Sequence, residues 1–203
     1  MPTEIEAKMR LEDPAGLALR LRNANAQPLG EVMEFNEFFD TAGDDLYRAG
    51  AGLRLRASRD LVSGRARCAI THKGRRLPGE IKVREETEVG VDDAAAARQL
   101  LDRLGFRRRL AFEKRRQSWR LEKCRIEIDQ VPHLGYFVEI EGPDAQSVLD
   151  MRRRLGLENS PLISESYARL VADYIESHGL ETREVRFDRP DAEGRSAGPA
   201  HNM

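Results

Sequence analysis

Glu4, Glu6 and Lys8 stand at alternate positions near the start of this chain, separated by Ile5 and Ala7. In an extended strand, successive side chains point to opposite faces, so the three charges share one face and the apolar residues the other. The pattern recurs. Arg54 and Arg56 share a face in "GLRLRAS", and Lys82, Arg84, Glu86 and Glu88 share one in "IKVREETEVGV". Lys114, Arg116 and Ser118 share one in "FEKRRQSW", Arg125, Glu127 and Asp129 in "RIEIDQV", and Glu139 and Glu141 in "GYFVEIEG". Carboxylates hold hard divalent cations through oxygen. Arginine and lysine hold phosphate oxygens. A polyanion bridged by divalent metal is a ligand that satisfies both sets at once.

These faces need elements to carry them. Period-two alternation predicts eight strands, over residues 3–11, 33–41, 52–58, 66–74, 81–91, 110–121, 125–131 and 135–142. "VSG" at 62–64 reads as a hairpin tip. Four helices are predicted. Asp13 and Pro14 open one at about 14–25, and Asp92 or Asp93 opens "AAAARQLLDRL", ended by Gly105. Pro143 opens "DAQSVLDMRRRL", ended by Gly156, and Ser164 opens "ESYARLVADYIESH", ended by Gly179. Three of the four follow a charged strand directly, as a weak repeat of strand, cap and helix. For any one strand, an antiparallel sheet with a wet face explains the charges. Across eight strands, amphipathic helices must cover some sheet surface, and only the apolar faces are available. The charges then point inward, into the lumen of a closed barrel. Buried charges need partners, so such a lumen calls for ligands.

Composition agrees with a single α+β domain. The chain has 203 residues, enough for a real core. Its 34 basic and 35 acidic residues leave a net charge of -1, so no field argues for nucleic acid or an anionic membrane surface. No apolar run has the length of a secretory signal or a membrane span. Cys68 and Cys124 have no metal-ligand spacing and read as reduced thiols of a cytoplasmic protein. His72 and His133 read as surface or loop residues, and Trp119 as core. Residues 1–180 form the expected domain; residues 181–203, rich in charge, Gly and Pro, are expected to be a disordered tail.

In order along the chain, these motifs resemble the CYTH superfamily, also called triphosphate tunnel metalloenzymes, over about residues 3–175. The signature Glu-x-Glu-x-Lys is Glu4-Ile5-Glu6-Ala7-Lys8. "FFDT", "LRLR" with Arg54 and Arg56, "ITHKG" with Lys73, and "VREETEV" with Arg84, Glu86 and Glu88 follow. "EKRR" supplies Lys114 and Arg116, and "EIDQVPHLGYFVEIEG" supplies Asp129, Gly135, Glu139 and Glu141. The resemblance implies an eight-stranded antiparallel tunnel with helices outside, acting on a triphosphate or nucleoside triphosphate as a monomer or homodimer. It implies Mg²⁺ or Mn²⁺ held by Glu4, Glu6, Glu139 and Glu141 with Asp129. It implies phosphate contacts from Lys8, Arg54, Arg56, Lys73, Arg84, Lys114 and Arg116, with Lys8 and Lys73 in the catalytic role. Glu86 and Glu88 either bind metal or orient arginines.

The sequence also departs from the family pattern. Asn36 and Phe38 stand where a family Asp-x-Tyr is frequent, so the tyrosine proposed to activate water in some hydrolases is missing. The Asp-Glu-Ala that often precedes Leu-Arg in class IV cyclases is absent before Leu53. The last helix carries Ser166 and Tyr167 where many triphosphatases carry a lysine. Triphosphate hydrolysis is the preferred expectation. Class IV adenylate cyclisation is the alternative, and non-catalytic triphosphate or polyphosphate binding a second one.

Overall fold

Alternating charge and apolarity produces eight long strands: β1 (Thr3–Arg10), β2 (Gln27–Asp40), β3 (Gly52–Asp60), β4 (Ala66–Lys73), β5 (Lys82–Val91), β6 (Arg107–Leu121), β7 (Cys124–Val131) and β8 (Gly135–Glu141). The structure, a computed structural model, describes residues 3–79 and 81–188. Neighbouring strands are antiparallel in the order β2-β3-β4-β5-β1-β8-β7-β6. β2 then pairs with β6 from Gln27↔Arg120 to Asp40↔Arg107, which closes the sheet into a barrel. Closure removes the sheet edges.

The helices are α1 (Pro14–Asn23), α2 (Asp45–Arg48), α3 (Ala94–Arg103), α4 (Ala145–Arg154) and α5 (Tyr167–Ser177). Asp13, Asp93 and Asp144 cap α1, α3 and α4, each side chain accepting a hydrogen bond from a first-turn backbone N–H. The repeat of strand, acidic cap and helix is therefore real as local structure. α5 starts later than expected: its N-cap is Ser166, not Ser164. Two further differences have local causes. β2 begins at Gln27 because a register shift between Pro28 and Gly30 lets the strand absorb two residues that ordinarily break one. The four-residue α2 is too short to show a helical period.

The apolar faces lie outward, under helices. Leu17 and Leu21 of α1 and Val148 and Met151 of α4 pack on Met9, Ile126, Val138 and Ile140 of β1, β7 and β8. Ala97 and Leu101 of α3 pack on Leu53 and Leu55 of β3. Trp119 is a core residue of the first cluster, while His72 and His133 are exposed. α5 packs differently. Its Tyr167, Val171 and Ile175 join Phe112, Val131 and Phe137, which lie on the same strand faces as Lys114, Asp129 and Glu139. α5 thus packs against an apolar stretch of the lumen wall itself.

The disorder expected from residue 181 onward does not hold for residues 181–188. Glu184–Val185 forms a ninth strand, β9, running parallel to β6 beside Ala111 and Phe112. Val185 is buried with Phe112 and Phe137, Arg186 pairs with Glu113, and the Phe187 N–H donates to Glu113. The remainder of the expected tail, residues 189–203, lies outside the described residues. One consequence can be measured by denaturant unfolding. A chain ended after Leu180 should be less stable than one ended after Asp188 by about 2 kcal/mol, the order of burying one valine side chain.

Candidate active site: the charged lumen

Strand register sets the lumen charges in rows. β1 places Glu4 beside Arg84 and Glu6 beside Lys82 of β5, and Glu6 beside Glu141 and Lys8 beside Glu139 of β8. β7 adds Glu127 opposite Glu139 and Arg125 opposite Glu141, and β6 sets Arg116 opposite Asp129. β2 sets Glu34 opposite Lys114. All twelve residues expected from the sequence as site residues lie on these inward faces or at their ends.

At the inner end, Asp129 is fully buried. Its two oxygens accept from Arg116 Nε (2.7 Å) and Nη2 (2.6 Å), from Lys114 Nζ (3.1 Å) and from the Tyr167 hydroxyl (2.8 Å). Arg116 Nη2 also reaches Glu139 at 2.5 Å, and Lys8 Nζ lies 3.4 Å from Glu139. Burial opposes the Arg116 charge, but Asp129 and Glu127 outweigh it and hold the guanidinium well above its usual range. Burial likewise opposes the Glu139 charge, and Lys8 and Arg116 overcome it, keeping the carboxylate ionised. Lys8 shows the opposite balance. Burial exceeds the help from Glu139, and its ammonium titrates near 8.

Toward the other side, Glu4 accepts from Lys73 Nζ (2.7 Å) and Arg84 Nε (2.8 Å), and Lys73 also lies 2.8 Å from Glu86. Burial would raise Glu4, but Lys73 and Arg84 hold it far below the usual carboxylate range. Lys82 pairs with Glu6. Arg56 donates to Glu34 and Glu88, and Thr71 donates to Glu88 at 2.8 Å. Arg54 Nη2 reaches Thr71, but Arg54 Nε is buried with no hydrogen-bond partner among the described residues. Burial and the neighbouring Arg56 lower Arg54 to about 10. A cavity of about 580 Å³ reaches Glu34, Arg56 and Glu88 of this group, and is lined further by Arg116, Ser118 and Arg125 together with the β3–β4 hairpin.

Four further residues, Glu34, Lys82, Glu127 and Tyr167, are partners of the expected ones. Glu34 sits on a strand already identified, and the inward parity of Asn36 marks it. Lys82 and Glu127 were on the right faces, but only pairing register shows which charges they neutralise. Tyr167 had no periodic signal, because it enters from a helix.

Residues 2–168 match the CYTH domain family. The chain belongs to that family. An adenylate cyclase, CyaB, of Aeromonas hydrophila is 29% identical over 177 residues, covering 82% of this chain and 87% of its own. Among solved structures, the PH1819 protein of Pyrococcus horikoshii OT3 superposes with a TM-score of 0.74 at 25% identity, covering 84% of this chain and 99% of its own. A Hippeastrum protein proposed as an adenylyl cyclase and described as having a dominant triphosphatase activity superposes with a TM-score of 0.65 at 22% identity, covering 84% and 96%.

The CYTH lumen has donors of the chemistry a divalent cation needs, though not as a preassembled cage. Among the described residues, no three acidic, histidine or cysteine side chains stand grouped to hold an ion. Most carboxylates turn instead to lysines and arginines. Glu141 is the exception: no ion pair engages it among the described residues, and burial, then Glu4 and Glu6, push its carboxyl above the ordinary value. Negative charge is therefore least compensated at Glu141, which faces Glu6 in the strand register and feels Glu4, and carboxylate oxygens there suit a hard cation such as Mg²⁺ or Mn²⁺. Asp129 fits such a role poorly, since four donors already occupy it.

These environments predict opposite effects of two neutralising substitutions. A carboxyl raised on folding binds more protons in the folded state between its ordinary and raised values, so its contribution to stability falls as pH rises through that window. Glu141→Gln should therefore stabilise the protein at pH 7 in chelator, with the gain vanishing below about pH 4, near the unfolded glutamate value. Asp129→Asn should destabilise it by about 3–5 kcal/mol, because Arg116 and Lys114 then lose the buried carboxylate they share. Urea unfolding across pH measures both.

Proposed function

We propose that this protein cleaves a triphosphate held in the lumen, with Mg²⁺ or Mn²⁺, releasing the terminal phosphate. The observation that carries this reading is Arg54 Nε, a guanidinium nitrogen buried without a partner among the described residues, its pKa lowered by that burial and by a neighbouring arginine. A buried donor left unsatisfied is costly, more so when charged. A phosphate oxygen supplies the acceptor and the negative charge that Arg54 and Arg56 together call for.

Lys8, Arg54, Arg56, Lys73, Arg84, Lys114 and Arg116 neutralise the bound chain of phosphates. Glu4, Glu6 and Glu141 would hold the divalent cation, which would supply positive charge to offset that of the phosphates. Glu139 and Asp129 hold cationic side chains in place, which we assign in preference to metal binding. Glu86 and Glu88 orient Lys73 and Arg56. In the reaction, water adds its hydroxyl to the terminal phosphorus, the bridging P–O bond breaks, and the water's proton ends on the phosphate products. The lumen contributes positioning and fixed charge. Lys8 and Lys73 stand as catalytic residues through their charge beside the transferred group.

Hydrolysis ranks above cyclisation because the charged contacts of the lumen suit phosphate or metal. Cyclisation requires the ribose to fold back on the α-phosphorus, so the nucleoside must be gripped as well. Among the described residues lining the cavity, none is aromatic and none offers an evident base reader. The name of the Aeromonas relative favours cyclisation as the second reading.

Chromatography of parallel reactions with inorganic triphosphate and with ATP, each with Mg²⁺ or Mn²⁺, tests the proposal. Phosphate should appear from inorganic triphosphate faster than cyclic AMP appears from ATP. Cyclic AMP and diphosphate as dominant products, with inorganic triphosphate intact, would reverse the ranking. Triphosphate with metal at a hundredfold excess over its Kd should stabilise the fold by about 2.7 kcal/mol. That shift without turnover of any substrate would mark a binder instead. Arg54→Leu should weaken triphosphate binding roughly tenfold, the scale of one hydrogen bond to a charged group.

A further inference from the structure

We propose that Tyr167 is a positioning residue of the lumen: its ring is the platform that fixes Lys8 and Lys114, and its hydroxyl anchors that ring on Asp129. The role in catalysis rests on the triphosphate reading above; the geometry does not.

Lysine ammoniums sit on flexible stems with freely rotating donors, so two of them converging on one anion must be held from elsewhere. Here Lys8 Nζ lies 4.0 Å and Lys114 Nζ 4.8 Å from the centroid of the same Tyr167 ring. Both fall within the range over which a cation is attracted to a ring face. Lys8 Nζ also donates to the carbonyl of Glu165 at 2.9 Å, two residues before Tyr167, so one short segment grips that ammonium twice. The ring is itself immobilised. Phe137 meets it edge-on, with centroids 5.3 Å apart and planes at 83°. Ser166 caps α5 immediately before it. The hydroxyl donates to Asp129 Oδ2 at 2.8 Å. Burial and Asp129 raise the phenol well above its usual value, so it stays protonated and remains a donor. A side chain from a helix lying on the lumen wall thus touches two ammoniums directly and reaches Arg116 through Asp129. Lys8 and Lys114 also pair with Glu139 and Asp129 in the wall, whereas Lys82 pairs with Glu6 and is not one of the ammoniums over this ring.

Two variants separate ring from hydroxyl. Tyr167→Phe keeps the platform and loses the anchor, and Tyr167→Leu loses both. The first readout needs no substrate: brief acetylation of the ligand-free protein with acetic anhydride, followed by mass spectrometry of each lysine. In Tyr167→Leu, labelling of Lys8 and Lys114 should rise roughly fivefold with loss of the cation–ring contact, while Lys82 stays unchanged. In Tyr167→Phe, Lys8 and Lys114 should label between the wild type and the Leu variant, since the ring stays but its anchor is lost, and Lys82 as in the wild type. Equal rises at Lys82 would show a merely loosened barrel and overturn the proposal, as would no rise at Lys8 and Lys114. A Phe variant labelling like the Leu variant would overturn the assignment to the ring. The second readout is calorimetric titration with inorganic triphosphate and Mg²⁺. The Phe variant should bind within about threefold of wild type, and the Leu variant roughly tenfold more weakly, as expected when ammoniums lose preorganisation. Unchanged affinity in the Leu variant would remove the functional role. Absence of binding in the wild type would instead sink the triphosphate reading, and the labelling pattern would still decide whether Tyr167 holds the lysines.

Discussion

Charge burial governs this fold. A carboxylate such as Asp129 is stable inside the barrel only because several donors meet it there, and Arg116 is stable only because Asp129, Glu127 and Glu139 surround it. Desolvation costs several kcal/mol per ion, and only well-placed partners offset it. That requirement accounts for the long strands, which must bring distant charges into register, and for the helices outside, which must keep the opposite faces dry.

The same requirement produces a functional asymmetry. Among the described residues, pairing is saturated around Asp129 and unsaturated at Arg54 and Glu141. Arg54 has a donor left over, and Glu141 has negative charge left over. One location asks for an anion and the other for a cation. On the reading proposed above, a metal-bound polyphosphate would answer both, and the lumen would be a receptor for a salt rather than for a single ion. Its affinity should therefore draw on the two components together.

Much of this was legible in the sequence because the strand period is two. Alternation alone put Glu4, Glu6 and Lys8 on one face, and the same logic grouped Arg54 with Arg56 and Glu139 with Glu141. The inward direction followed from the helices, whose apolar stripes had to cover something. What alternation does not encode is register. It could not tell that Lys82 neutralises Glu6 or that Glu34 bridges Arg56 and Lys114. Nor does it report on side chains arriving from helices, which is why Tyr167 had no assigned partner. β9 escaped for a related reason: two residues amid charges carry no period, and only the buried site waiting for Val185 gives the segment its place.

The seam between β2 and β6 has a further consequence, for the order in which the molecule assembles. Gln27 finds Arg120, and Glu6 finds Glu141 across the β1–β8 join, so the ring is completed by partners far apart along the chain. Such non-local pairing is slow to form, because chain entropy is lost before contacts compensate for it. Until β6, β7 and β8 have left the ribosome, the inward faces of β1 to β5 stay open to water and their carboxylates and guanidiniums stay hydrated. Ring closure and dehydration of the charges then happen in one event. A nascent chain stalled before that point is a polar, edge-exposed half-sheet, and it is in this interval that the protein is most open to mispairing with a neighbour.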